Sequence, residues 1–294
     1  MKIFTLKGIN LNLNKILNEI LRSATTKLDA AGIESARLDA EVLLAHVLNC
    51  KRLYLYVDAE KILTSAQVER YENLIEMRIK KFPVAYLIGQ REFMGLNFAV
   101  TPDVLIPRPD TEILTQLAIE KLSAIKNPNF LDIGTGSGAL CVSILKYVKN
   151  STAATVDISR DTINVAKFNA EKFGVDDRIK FFVGNLFEPL RGQKFHAIIS
   201  NPPYIPTKIL PTLQDEVQRE PQIALDGGAD GLNFYRRIVD DAPNFLFDKG
   251  FLAVEIGINQ AADVKNFFAK NFSEIEIIHD LAGIERVVAG IYEN

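Results

Sequence analysis

Apolar residues in the first third of the chain recur at the spacing of amphipathic helices. The segment 16–28 has them three or four positions apart. Thr64 and Gln67 have the spacing of a capping box in front of another helix. A second helix is predicted between these two, with Ser35 as its capping residue. Its apolar residues fall on one face, and they are Leu38, Val42, Ala45 and Leu48. Residues 1–82 are therefore predicted to form a small all-helical domain.

Basic side chains also occur in this helical part. They are Arg70, Arg78, Lys80 and Lys81, and all four are expected to be exposed. Two interpretations stay open for them, a docking face for an acidic partner and an ordinary solvated helix face.

Beyond residue 110 the pattern changes, and short apolar runs alternate with stretches of helical spacing. Runs rich in β-branched and aromatic residues predict seven strands, at 130–133, 154–157, 179–183, 197–200, 251–256, 275–279 and 286–291. Strands that alternate with helices are typical of a parallel sheet. We therefore predict an α/β fold for residues 110–294, with a Rossmann-like sheet of seven strands.

Residues 83–109 connect the two parts and are predicted to form a stiff linker. Two short apolar runs flank Gly95, which predicts a β-hairpin within this segment. Prolines on both sides restrict the backbone to extended conformations. The predicted organisation is thus a helical domain at 1–82, a linker with a β-hairpin at 83–109 and a sheet domain at 110–294.

A glycine-rich turn follows the first strand of the sheet. Glycines there allow the backbone to approach a ligand at the start of a helix. Asp157 ends the second strand, where its carboxylate can accept hydrogen bonds from both hydroxyls of a ribose. The turn and the acid together predict an adenosine ligand. They do not distinguish a nicotinamide cofactor from S-adenosylmethionine, because Gly134, Gly136 and Ala139 also satisfy a loose dinucleotide pattern.

The fourth strand ends in Asn201, Pro202, Pro203 and Tyr204. The two prolines keep the backbone extended at the edge of the sheet where open α/β folds bind ligands. The Asn201 side-chain oxygen and the Pro202 carbonyl are two acceptors, and the Tyr204 ring offers a flat face. Together they suit a planar NH2 group, which favours methyl transfer to nitrogen over hydride transfer.

The loop after the third strand is predicted to lie beside the adenine. Asn185 is placed to meet the exocyclic amine, and Leu186 or Phe187 to cover the face of the ring. For Phe187, a position in the apolar core is an equally open interpretation.

The overall composition is that of an ordinary globular protein, with 48% hydrophobic and 24% charged residues among 294. The net charge of −3 provides no basic field, which argues against a nucleic-acid substrate. Cys50 and Cys141 match no metal or redox spacing, so no metal site is predicted. No run has the length or composition of a signal peptide or a membrane span, and a cytoplasmic protein is expected.

Several stretches together carry a resemblance to a known family. They are 83–89, 92–96, 105–112, 132–138, 156–159, 200–204, 220–221, 224–231 and 255–257. Across nearly the whole chain they resemble the HemK/PrmC family, the glutamine methyltransferases of peptide chain release factors. Asn-Pro-Pro-Tyr alone is shared with enzymes that methylate adenine or guanine amines, and the linker segments and 225–228 make the resemblance specific.

The resemblance implies a methyltransferase that uses S-adenosylmethionine to methylate the side-chain amide nitrogen of the glutamine in a release factor's Gly-Gly-Gln motif. It implies cofactor contacts at Gly134, Thr135, Gly136, Ser137, Gly138, Asp157, Asn185, Leu186 and Asn201. It implies substrate contacts at Asn201, Pro202, Pro203 and Tyr204, with Asn201, Pro202 and Tyr204 acting in catalysis. The helical domain would dock the release factor, and we expect a monomer with neither a membrane nor a nucleic-acid partner.

The sequence departs from the family pattern at two positions, and two other functions stay open. Asn185 stands where the family usually has Asp, and His196 where an Asp commonly precedes the fourth strand. A nucleic-acid amine methyltransferase would need a basic surface around Tyr204, which the negative net charge argues against. A non-catalytic adaptor that binds S-adenosylmethionine or a nucleotide would not need the intact Asn-Pro-Pro-Tyr sequence.

Overall fold

The computed structural model describes residues 16–294, so the part of the predicted helical domain before residue 16 lies outside the described residues. The chain forms two compact units, and the division falls between Ile88 and Gly89. This division lies inside the segment 83–109, and the domain limits given above stay a prediction.

The described part of the first unit is built from helices. They are α1 (Leu17–Ala30), α2 (Ala36–Leu48), α3 (Tyr54–Val57), α4 (Ser65–Ile79) and α5 (Val84–Ile88). The capping box begins α4 as predicted: Thr64 Oγ1 accepts from the Gln67 N–H at 3.2 Å, and Gln67 Oε1 accepts from the Thr64 N–H at 3.0 Å. Helix α5 occupies the beginning of the predicted linker and packs on α2 and α4.

Two predictions for the ends of the helices are wrong. The Ser35 side chain makes no capping hydrogen bond, and Lys81 is half-buried, with its Nζ donating to the Ala31 and Gly32 carbonyls.

Two further details predicted for the helices are wrong, and both concern residues at a buried ion pair. Leu38 is 45% exposed, whereas Ala40 and Leu43 of the same helix are fully buried. This rotation of α2 buries Asp39, whose Oδ2 accepts from Arg78 Nε at 2.7 Å. Arg78 is 6% exposed and therefore does not belong to a basic surface. It compensates a carboxylate that would otherwise be costly to bury.

The second unit begins with the predicted hairpin, which is confirmed. Its strands are β1 (Gln90–Phe93) and β2 (Leu96–Ala99). They pair antiparallel, with Phe93 opposite Leu96 across the turn. Phe93 and Phe98 are buried, so the hairpin contributes to an apolar core.

The sheet of the second unit has seven strands, which confirms the predicted fold class. They are β3 (Asn129–Ile133), β4 (Thr152–Asp157), β5 (Ile179–Val183), β6 (Phe195–Ser200), β7 (Leu246–Glu255), β8 (Phe272–His279) and β9 (Glu285–Tyr292). Their order is β5-β4-β3-β6-β7-β9-β8, and only the pairings of β9 are antiparallel. The chain runs outward from β3 to β5 and returns to β6 on the other side of β3. Strands β3 and β6 therefore flank a topological switch point, where such sheets bind ligands.

Helices cover both faces of the sheet, because alternate residues of each strand point to opposite sides. Ala197 and Ile199 of β6 belong to one core, and Ile198 to the other. The first core packs against α6 (Thr111–Ser123), α7 (Ala139–Tyr147) and α8 (Arg160–Phe173), and the second against α9 (Asn233–Asp241) and α10 (Ala261–Phe268). No helix within residues 16–294 is both long and apolar enough to cross a bilayer.

Candidate active site

A cavity of about 300 Å³ opens at the carboxyl ends of β3, β4 and β6, beside the switch point. Its volume is within the range of small-molecule sites. The predicted residues that line it are Gly134, Gly136, Asp157, Asn185, Leu186, Asn201, Pro202 and Pro203. Apolar side chains such as Ile133, Val156 and Phe234 complete the wall. The fold thus brings most of the predicted site residues to one cavity.

The glycine-rich turn between β3 and α7 passes this cavity with its backbone. Gly134, Gly136 and Gly138 have φ values of 76°, 53° and 78°, which residues with a Cβ rarely adopt. A Cβ on Gly136 would meet no atom within 4 Å, whereas one on Gly138 would lie 3.2 Å from the Ala166 Cβ of α8. Gly136 therefore leaves space beside the cavity, and Gly138 permits close packing of α8.

Three predicted members of the turn do not line the cavity: Thr135, Ser137 and Gly138. Thr135 is 5% exposed, and its hydroxyl donates to Asp132 Oδ2 at 2.9 Å. The Ser137 carbonyl accepts from Asn169 Nδ2 at 2.8 Å. These residues fix the shape of the turn from the protein side.

Asp157 lies at the end of β4, where its carboxylate accepts hydrogen bonds from two backbone N–H groups. Oδ1 accepts from the Ser159 N–H at 3.0 Å, and Oδ2 accepts from the Gly136 N–H at 3.2 Å. Burial raises the pKa of Asp157, and these donated hydrogen bonds limit the rise. Each oxygen keeps a lone pair for a ligand donor.

The loop after β5 forms the next part of the wall. Asn185 Nδ2 donates to Glu188 Oε1 at 3.0 Å, and Asn185 Oδ1 accepts from Arg237 Nη2 at 3.0 Å. Phe187 is 5% exposed and stacks on Phe245, with ring centroids 4.6 Å apart. Of the two side chains considered as a cover for a ring, Leu186 therefore lines the cavity, and Phe187 belongs to the core.

Asn201 follows β6 at the edge of the cavity. The Ser200 hydroxyl donates to the Ile133 carbonyl at 2.8 Å and ties the end of β6 to β3. Asn201 Nδ2 donates to Thr111 Oγ1 at 3.0 Å. Within residues 16–294, no group donates to Asn201 Oδ1 or to the Pro202 carbonyl. Both oxygens can therefore accept a hydrogen bond from a ligand.

A second cavity, of about 90 Å³, adjoins Asn201. Its wall includes Arg108, Tyr204, Ile205, Val217 and Leu225. Leu105, Asn201 and Ala224 line both cavities. A group held in the smaller cavity can therefore meet a ligand of the larger one at the Asn201 side chain.

Glycines surround Tyr204 in the wall of the smaller cavity. A Cβ on Gly227 would lie 2.8 Å from Tyr204 Cα, and one on Gly231 would lie 2.4 Å from the Tyr204 carbonyl oxygen. On the other side, a Cβ on Gly257 would lie 3.0 Å from Tyr204 Cδ2. Gln260 Nε2 donates to the Tyr204 carbonyl at 3.0 Å. The tyrosine is thus held by backbone that only glycine brings this close.

Arg108 and Glu220 form an ion pair beside the smaller cavity. Glu220 is 4% exposed; its Oε1 accepts from Arg108 Nη2 at 2.5 Å and its Oε2 from the Ile106 N–H at 2.9 Å. The carboxylate thereby fixes the extended segment that precedes α6. The two charges lie 112 positions apart, and nothing local in the sequence indicates that they meet.

Two further residues at the site, Thr111 and Glu255, received no role from the sequence. Glu255 is 2% exposed, and the Tyr204 hydroxyl donates to its Oε1 at 3.5 Å. Burial raises the pKa of Glu255 to about 7, although the Thr111 hydroxyl favours its charged form. Burial also raises the pKa of Tyr204, which keeps its hydroxyl protonated. The only signal for either residue was its place in the stretches 105–112 and 255–257.

Within the described part of the chain, no group of three or more His, Cys, Asp or Glu side chains is arranged to hold a metal ion. His196 lies at the amino end of β6, remote along the strand from Asn201, and its Nδ1 contacts Asn129 Oδ1 at 2.5 Å. The polar groups that line the two cavities are amide, carboxylate, hydroxyl, guanidinium and backbone groups.

Comparison with known proteins gives matches along most of the chain. A family described as PrmC N-terminal domain matches residues 19–89, and one described as methyltransferase small domain matches residues 109–219. A release factor glutamine methyltransferase of Geobacter sulfurreducens is 44% identical, over 88% of this chain and 90% of the relative. One of Moorella thermoacetica is 40% identical, over 92% of this chain and 96% of the relative.

Solved structures share the fold at low sequence identity. The hMettl16 catalytic domain, in complex with MAT2A 3'UTR hairpin 6, has a TM-score of 0.57 and 16% identity over 79% of this chain and 83% of that one. A methyltransferase from Pyrococcus furiosus has a TM-score of 0.51 and 16% identity over 79% of this chain and 100% of that one. These likenesses support the fold class alone.

Asp132 lies beneath the glycine-rich turn and gives a pH-dependent contribution to stability. It is 1% exposed, and burial raises its pKa to about 7, with the charge of Asp157 adding to the rise. The folded protein therefore keeps a proton that the unfolded chain loses near pH 4. The stabilisation is fully present below that pH and is lost as the pH rises through about 7.

We expect Asp132→Asn to remove this dependence. Relative to the variant, the free energy of unfolding of the wild type should fall by about 2–3 kcal/mol between pH values of about 5 and 8. Urea denaturation at several pH values in this range measures the difference. Parallel stability curves for the two proteins would contradict the assignment.

Proposed function

The chain belongs to the release factor glutamine methyltransferase family, and on that premise we propose that it transfers a methyl group from S-adenosylmethionine to a peptide chain release factor. The acceptor is the side-chain amide nitrogen of the glutamine in the Gly-Gly-Gln motif. The observation that carries this proposal is the position of Asn201, which lines both cavities and has a free acceptor oxygen. A donor in one cavity and an acceptor in the other meet at this residue.

The volume of the larger cavity, the acceptor oxygens of Asp157 and the apolar part of the wall suit an S-adenosyl ligand. The Asp157 carboxylate keeps two lone pairs for ribose hydroxyls after accepting from the Gly136 and Ser159 N–H groups. Leu186 and Ile133 supply apolar surface for an adenine ring. When bound, S-adenosylmethionine supplies a methyl group on a positively charged sulfur.

The residues at the corner after β6 would activate and aim the acceptor nitrogen. An amide nitrogen is a poor nucleophile, because its lone pair is delocalised into the carbonyl. The Asn201 Oδ1 and Pro202 carbonyl accept the two hydrogens of the NH2 group, which raises electron density on nitrogen. Tyr204, in the wall of the smaller cavity, packs against the amide plane. Alignment and fixed dipoles then account for the catalysis.

The other contacts that the resemblance implies belong to the same proposal. Pro203 would shape the entrance for the substrate. Thr135, Ser137 and Gly138 would act on the cofactor through the backbone of the turn, because the Thr135 and Ser137 side chains are buried and Gly138 has none. Asn185 would contribute through its amide, which Glu188 and Arg237 already hold.

We also propose that the helical unit docks the release factor, and that the enzyme works as a monomer in the cytoplasm. The family supports the choice of partner, since release factors are the substrates in its name. The net charge of −3 supports a protein substrate over a nucleic acid.

Incubation with labelled S-adenosylmethionine and a purified release factor tests the function directly. We expect label in the release factor and none in a variant whose Gly-Gly-Gln glutamine is replaced by alanine. Transfer RNA and DNA serve as parallel substrates. Label in a nucleic acid would replace the proposal with an amine methyltransferase, and binding without transfer would indicate an adaptor.

Asn201→Ala should remove the acceptor oxygen while leaving the glycine-rich turn and Asp157 of the cofactor cavity in place. By analogy with the loss of an oxyanion donor, we expect kcat to fall by about 10²-fold or more. Calorimetry should show nearly unchanged affinity for S-adenosylmethionine. A variant with near-normal turnover would rule out this role for Asn201.

Asp157→Ala should weaken cofactor binding, because hydrogen bonds to a charged group are worth about 1.5–3 kcal/mol each. Isothermal titration calorimetry measures the change. Asp161→Ala is a matched control, since that exposed aspartate lies four positions further along and does not line the cavity. Equal affinities for the wild type and Asp157→Ala would defeat the ribose assignment.

A further inference from the structure

The amide of Asn201 can point in two directions, and only one of them suits the proposed reaction. The substrate NH2 group has two hydrogens, so an oxygen must face it. Turned by half a rotation, the Asn201 side chain would present its own NH2 group instead. The two orientations have nearly the same shape, so packing does not distinguish them. The orientation must therefore be selected by a hydrogen-bond partner whose role, as donor or as acceptor, is fixed.

The Thr111 hydroxyl is the partner that the structure provides. Asn201 Nδ2 lies 3.0 Å from Thr111 Oγ1 and donates to it. Thr111 is 7% exposed and is the first residue of α6. Its N–H donates to the Arg108 carbonyl at 3.1 Å, and its carbonyl accepts from the Thr115 hydroxyl at 2.9 Å. The start of the helix therefore fixes where this hydroxyl lies.

A hydroxyl can also donate, so its hydrogen has to be drawn away from Asn201. Strands β6 and β7 pair with Ser200 opposite Val254, which puts Glu255 next to Asn201. The Thr111 hydroxyl favours the charged form of Glu255, and Glu255 Oε2 is buried with no hydrogen-bond partner in the described part of the chain. A hydroxyl hydrogen attracted to this carboxyl leaves the Thr111 lone pairs towards Asn201.

We propose that Thr111, backed by Glu255, is a positioning residue that fixes the Asn201 amide with Oδ1 facing the substrate nitrogen. Neither residue touches the reacting atoms. Because it concerns the group that binds the substrate amide, this role rests on the proposed function. It also gives the stretches 105–112 and 255–257 a common purpose at the site.

Thr111→Val keeps the shape of the side chain and removes the acceptor. We expect kcat for release factor methylation to fall at least about tenfold, as small losses of alignment do, with little change in the Kd of S-adenosylmethionine. Thr111→Ser keeps the hydroxyl and should retain most of the activity. Ser143→Ala is a control for the loss of a buried hydroxyl, because Ser143 is fully buried in α7 and lines neither cavity. Its kcat should stay at the wild-type value.

Normal turnover of Thr111→Val would overturn the inference, and so would a Thr111→Ser variant as slow as Thr111→Val. Asn201→Ala in the same series separates this result from the proposed function. An active Asn201→Ala would defeat both, whereas an inactive Asn201→Ala beside a normal Thr111→Val would defeat the positioning role alone. If Thr111→Val does not fold, Glu255→Gln is the test of the positioning role. We expect its kcat to fall while the Kd of S-adenosylmethionine stays unchanged. A normal kcat would overturn the positioning role.

Discussion

The extended path of the chain as it leaves β6 is the constraint on which the site depends. Pro202 excludes Asn201 from the helical region, and Pro203 does the same to Pro202, so the chain cannot turn into a helix at the edge of the sheet. The hydrogen bond from the Ser200 hydroxyl to the Ile133 carbonyl fixes the end of β6 against β3. With the backbone held in this way, one asparagine can border two cavities at once.

Three of the stretches that carry the family resemblance, 105–112, 220–221 and 224–231, lie together at this corner. Glu220 fixes the segment that leads into α6 through Arg108 and the Ile106 N–H. The segment 224–231 runs beside Ile205, whose N–H and carbonyl bond to Leu225 and Gly227. These stretches therefore support the corner mechanically. These stretches are far from Asn201 in the sequence but close to it in the fold.

Local patterns predicted the elements well, because helical spacing, strand alternation and the glycine turn are properties of neighbouring residues. The hairpin, the capping box at Thr64 and the seven strands follow from them. The pairing of distant polar groups does not. Arg78 looks like a surface residue until Asp39 is seen beneath it, and Asn201 meets Thr111 across 90 positions. Such pairs depend on which helix lies over which strand end.

The carboxyl groups beneath the site differ in how far their burial is compensated. Glu220 has donors on both oxygens, and Asp132 accepts from the hydroxyls of Thr135 and Thr155. Glu255 Oε2 is buried and has no donor among residues 16–294 unless the Thr111 hydroxyl turns its hydrogen towards it, and a buried oxygen without a donor typically costs about 1–3 kcal/mol. An apolar residue of similar size would avoid that cost. Stability alone therefore does not explain a carboxyl at this position, whereas a need to orient the hydroxyl beside Asn201 does.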